Sequence, residues 1–186
     1  MSQAQALPPN FIQASFATLW RRIAAYLTDF AILFTILIPL QIILWRFGNG
    51  FPYTLLSTGL QVELWVLSSI SLPAWLYFSC SEQSLRQATL GKQLFRLQVT
   101  RSDGRKIGFG RAFLRTLIKL LPWELTHLTL LIPIPIWWQT SPKFPFGLVV
   151  VYTLLGIYSL AMLLNKRRQS IHDILMDTVV IRKESP

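Results

Sequence analysis

The amino-acid sequence predicts an all-α membrane protein, four transmembrane helices with a small cytosolic β-hairpin and strand element. Three observations carry this reading. The chain of 186 residues is 52% hydrophobic and 14% charged, with a mean hydropathy of +0.44, a balance suited to burial in lipid. Apolar runs long enough to cross a bilayer recur along it. The basic residues behind its net charge of +10 sit in the flanks of those runs, where they act as topogenic charge rather than as a nucleic-acid surface.

The first span is read at 23–45. From Ile23 to Trp45 the only charge is Asp29, and at about 1.5 Å per residue the run reaches about 34 Å. Arg22 and Asp29 are seven residues apart, so a helix returns them to one stripe, about 10 Å apart along the axis. The arginine can stay at the headgroups while the aspartate sits inside and needs a partner other than lipid. Before the span, residues 1–20 form a lead-in. Asn10 is a candidate cap for an interfacial helix over 11–21, whose Ile12, Phe16, Leu19 and Ile23 recur at helical spacing, and plain continuation of the span is the alternative. The run behind this lead-in is far longer than a signal-peptide core, so the span is expected to remain in the mature protein.

Span two is read at 60–80, with Glu63 as an interfacial carboxylate, Pro73 inside and Cys80 as a packed or interfacial thiol. Residues 81–115 then carry eight Lys and Arg against Glu82 and Asp103, and are read as a cytosolic loop. Phe95, Leu97 and Val99 alternate with polar residues as in a half-buried strand. Ser102-Asp103-Gly104 supplies turn chemistry, and Arg105-Lys106-Ile107 returns as the second strand of a hairpin. Thr89-Leu90-Gly91-Lys92 lacks the glycines of a phosphate loop and reads as a turn into the first strand.

Span three is read at 117–138. It grows from an amphipathic start with Arg111, Arg115 and Lys119 at four-residue intervals, and Pro122, Pro133 and Pro135 argue against a straight crossing. Span four, 146–164, holds no charge. The tail, 165–186, contains His172-Asp173 and the β-branched run Thr178-Val179-Val180-Ile181, expected to pair with the hairpin. With both termini inside, sixteen of the eighteen Lys and Arg residues fall on the cytosolic side and only Arg46 and Lys143 outside, as the positive-inside rule requires.

Several residues are candidates for chemistry. Arg22 and Asp29 form either a structural charge that locks helices or part of an ion path. Glu124 and His127, three apart and on one helical face, suit a proton relay or a hydrogen-bonded packing pair. A Glu-x-x-His sequence also occurs in di-iron bundles, but a second copy is required and none is present, so no metal site is expected. His172 and Asp173 point about 100° apart on a helix, and no nucleophile stands at a hydrolase spacing, so no catalytic residue is assigned. No cofactor is expected. Arg101, Arg105 and Lys106 are candidates for contact with anionic lipid or a partner.

These residues together resemble the RDD family of bacterial membrane proteins, named for one arginine and two aspartates. The resemblance rests on Arg22-x-x-Ala25-x-x-x-Asp29, on Thr89-Leu90-Gly91-Lys92 through Leu97-x-Val99 and Asp103-Gly104 to Arg111-Ala112-x-x-Arg115, and on Arg168-Gln169-Ser170-Ile171-His172-Asp173 before Thr178-Val179-Val180. It covers residues 15–182. Its implied signature residues are Arg22, Asp29 and Asp173, and family members often have glycine where Asp177 stands. The resemblance implies the bacterial inner membrane, with transport or cation/proton exchange suggested for some members. The function expected is therefore a transporter or ion-exchange component, working as a homo-oligomer, in which Asp29 is assisted by Glu124 and His127 while Arg22 and Asp173 hold the cytosolic mouth. The alternative is a non-transporting adaptor whose basic loop docks a partner or anionic lipid.

Overall fold

A computed structural model describes residues 15–183. Four long helical segments form an antiparallel bundle, and a two-stranded sheet closes one end. Helix α1 runs Leu19–Phe47 and contains Pro39. The second crossing is composite: α2 (Gly59–Val66) passes through a π-helical turn over Leu67–Ser71 into α3 (Leu72–Gln83). Such a bulge admits Pro73, whose missing N–H could not serve an unbroken α-helix. A short α4 (Leu90–Leu94) and strand β1 (Leu97–Arg101) lead to α5 (Phe109–Leu131). Then come α6 (Gly147–Leu164), α7 (Ile171–Leu175) and β2 (Thr178–Arg182). All four long segments have the length and apolarity to cross a membrane. Their exposed faces carry Ile36, Ile43, Leu60, Val149 and Leu160, the outward apolar surface that a lipid solvent favours.

The sheet differs from the expected hairpin. Strand β1 pairs antiparallel with the tail strand β2, Val99 opposite Val180. Arg105-Lys106-Ile107 forms no strand. On the edge of β1 away from β2, the Val99 N–H donates to the Gln87 carbonyl and the Arg101 N–H to the Arg105 carbonyl. That edge is thus satisfied by single contacts before a return strand can form. The N-terminal segment also departs from expectation. Residues 15–18 are extended, with Phe16 bridging Ile181, the Ala17 N–H donating to Val180 and the Arg182 N–H to Ser15. Asn10 and residues 11–14 lie outside the described residues.

The third crossing begins eight residues before its expected start and passes through Pro122 without breaking. A proline there leaves the Ile118 carbonyl without its helical donor. The hydroxyl of Tyr158, from α6, donates to it at 2.7 Å. Pro133 and Pro135 follow the helix end, so the run to Trp138 closes in a short 3₁₀ turn over Ile136–Trp138.

Candidate functional site

Asp29 is the first buried carboxylate, 1% exposed on α1. The Tyr77 hydroxyl donates to its Oδ1 at 2.7 Å, the Gly91 N–H to the same oxygen at 2.8 Å, and the Thr89 hydroxyl to Oδ2 at 2.6 Å. Thr89-Leu90-Gly91-Lys92 is therefore not a plain turn. Thr89 caps α4 by accepting from the Lys92 N–H, and the first turn of that helix docks on Asp29. Gly91 permits the approach, because a Cβ there would stand 2.1 Å from the Ala25 carbonyl oxygen. Neither Glu124 nor His127 bonds to Asp29. Its partners come from α3 and α4.

A second cluster ties five helices together. Asp173, in the first turn of α7, accepts from Arg115 Nε at 3.0 Å and Nη2 at 2.5 Å, and pairs with Arg22 Nη1. Arg22 Nη2 also donates to the Arg168 carbonyl at 2.7 Å. Arg115 reaches onward to Glu82 Oε2 at 2.6 Å, and Glu82 Oε1 receives Lys92 and, at 3.4 Å, Lys119. Arg115, read as loop charge, is 1% exposed and Glu82 fully buried. Burial disfavours an ionised Asp173, yet Arg115 and Arg22 hold its carboxyl well below the usual range. Burial lowers the affinity of Lys92 for its proton, and Glu82 opposes that loss. His172 lies 3.6 Å from Asp173. Burial outweighs that neighbour and depresses its pKa to about 3, so the imidazole is neutral at physiological pH.

A third cluster lies deeper in the bundle. Glu124 accepts from the Ser71 hydroxyl at 2.9 Å and from Trp75 Nε1 at 3.1 Å. His127 Nδ1 stands 3.9 Å from Glu124 Oε2, with its ring edge-on to Trp123. Ser71 closes the π-helical turn, and the extra residue of such a turn re-aims the side chains that follow. Glu63, expected at the interface, is 2% exposed and its Oε2 has no hydrogen-bond partner. One turn earlier, Gly59 abuts the Leu131 carbonyl, which places the Glu63 face of α2 against α5.

The remaining candidates sit at the sheet end. Arg105 grips Asp103 Oδ2 through Nε and Nη2, and Arg101 approaches the same oxygen at 3.3 Å. Lys106 is exposed. Cys80 is a free, exposed thiol. Among the described residues no three His, Cys, Asp or Glu side chains converge as a metal site would require.

The family model described as RDD family matches residues 16–177. The chain belongs to the RDD family. Comparison with curated proteins and with solved structures returned no match. Of the three residues that the resemblance implied as its signature, Arg22 and Asp173 bond each other across the sheet end of the bundle, while Asp29 anchors α4. Asp177 has φ +48°, the left-handed region in which glycine is unstrained and Asp tolerated. Sequence reasoning missed Glu82, Lys92, Arg115 and Lys119 as partners in this RDD protein. A signal existed in the four-residue interval of Arg115 and Lys119 beside the lone acid that ends span two.

Proposed function

We propose that this RDD protein is a proton or cation exchange component of the bacterial inner membrane, non-enzymatic, with both termini in the cytosol. The observation that carries the reading is a seam of buried polar groups between α2–α3 and α5. Glu63, Glu124 and His127 occupy its membrane-deep part. Ser79 and Thr116 lie farther along, between the Glu124 contact and the Glu82 contact on their respective helices. Glu63 Oε2, His127 Nδ1 and both hydroxyls are buried without hydrogen-bond partners. Ionisable groups in a span with open hydrogen-bonding capacity suit proton relay, whereas a saturated carboxylate suits architecture. Asp29 is saturated and belongs to the second class. The moving charge is thus assigned to Glu63 and His127, which carry the open atoms, together with Glu124, with Asp29 as the helix anchor. Glu124 holds one donor on each oxygen and stands 3.9 Å from His127 Nδ1.

The collection of basic residues at the sheet end supports cytosolic termini. Four spans offer little wall around a path, so a homo-oligomer is part of the proposal. The adaptor reading draws no support from Arg101 and Arg105, whose guanidinium groups close on Asp103.

Proton and cation flux in proteoliposomes tests the reading at matched insertion. The wild type is expected to conduct, and Glu124→Gln to lose flux by about 100-fold or more. Asp29→Asn is expected to keep its flux per inserted molecule while melting lower. Silence from well-inserted wild type, or full flux in Glu124→Gln, would overturn it.

A further inference from the structure

We propose that the sheet end of the bundle holds an anionic phospholipid, its phosphate between Arg22 and Lys119 and its acyl chains along the cleft between α1 and α6. The cavity there measures about 170 Å³. Its polar wall presents Arg22, Lys92, Arg115 and Lys119 with the single carboxylate Asp29. Glu82 and Asp173, fully buried, pair with these cations from behind the wall, so four cations are matched by three carboxylates. Lys119 is the cation least engaged. Its nearest carboxylate oxygen, at 3.4 Å, already receives Lys92, and its ammonium otherwise rests 3.6 Å above the Phe78 ring. Arg22 Nε is buried without a partner. An uncompensated charge at low dielectric is costly and favours an anionic ligand.

The side of the cavity between the two spans is formed by the apolar Leu19 and Ile23 of α1 and Leu155 and Met162 of α6, with Tyr158, Ser159, Ser170 and His172 also on the wall. Helix α6 packs mainly on α5 and scarcely on α1, so the cleft between them faces the lipid that surrounds the spans. A ligand with one phosphate and a long apolar body fits both walls. A free phosphate would satisfy only the first. Recognition of anionic lipid is thereby assigned to this cleft, not to Arg101, Arg105 and Lys106. The inference goes beyond the exchange reading, and its test reads lipid binding instead of flux.

The full chain in neutral detergent is melted with phosphatidylglycerol, phosphatidylcholine or inorganic phosphate, and bound lipid is weighed by native mass spectrometry. Phosphatidylglycerol is expected to raise Tm by about 5–10 °C at roughly 100-fold over its Kd and to remain bound. Phosphatidylcholine and inorganic phosphate are expected to leave Tm unchanged. Lys119→Gln removes the phosphatidylglycerol shift, and Leu155→Trp, which fills the cleft without touching a charge, removes it as well. Equal shifts from the two lipids, or a full shift in Leu155→Trp, would overturn the proposal. Stabilisation by inorganic phosphate matching that by phosphatidylglycerol would overturn the lipid assignment.

Discussion

Gly91 and His172 show how much rests on single positions. At Gly91 the backbone of α4 passes so close to α1 that a methyl group would strike the Ala25 carbonyl and the Asp29 carboxylate. Gly91→Ala is expected to destabilise the protein by about 1–3 kcal/mol, the usual range for overpacking, read as a lower melting temperature in detergent. His172 sets a pH dependence. Folded, it takes a proton only near pH 3, against 6.5 for the free side chain. Between those values the unfolded chain binds the extra proton, so this contribution to stability is complete above about pH 6.5 and declines as pH falls toward 3. Asp173 acts in a lower window. Its folded pKa lies well below 3.8, so its contribution is present above that value and lost as pH falls through the folded one. Melting at pH 7 and pH 5 is expected to show a drop in wild type that His172→Asn reduces, since Asp173 is ionised at both. An equal drop in the variant would place the acid sensitivity elsewhere.

Helix α5 depends on a neighbour to pass through its proline. The Ile118 carbonyl, freed by Pro122, accepts from the Tyr158 hydroxyl. Tyr158→Phe leaves that carbonyl unsatisfied and is expected to cost about 1–3 kcal/mol. In a Pro122→Ala background the restored N–H serves the carbonyl, so the same change is expected to cost far less. A double-mutant cycle in thermal melts measures the difference, and additivity would show the bond to be incidental. The composite second crossing works similarly, since its π-helical turn accommodates Pro73 and presents Ser71 to Glu124. Sequence periodicity assumes a uniform 3.6-residue helix, so neither arrangement was legible in it. Both depend on a donor or acceptor from another segment.

For the whole molecule, the expected topology has a direct test. In a Cys80→Ser background, Lys106→Cys at the sheet end and Lys143→Cys between α5 and α6 should label from opposite sides of intact cells. An impermeant maleimide is expected to reach only the second, and labelling of the first would invert the assignment. The four spans and their order were legible because an apolar run is a property of the chain alone: lipid selects for length and hydropathy wherever the run packs. The two strands were also legible from their alternation and β-branched residues, and family membership from the spacing of Arg22, Asp29 and Asp173. The partners were not. Edge contacts from Gln87 and Arg105 take the place of the return strand, and Glu82 and Arg115 meet across 33 positions of sequence. Asp29 likewise finds its donors 48 to 62 positions away. Sequence by itself therefore determined which segments enter the membrane and which residues carry charge there. Only the tertiary structure decided which charge meets which, because a buried ion needs a partner in space and chain spacing does not encode one.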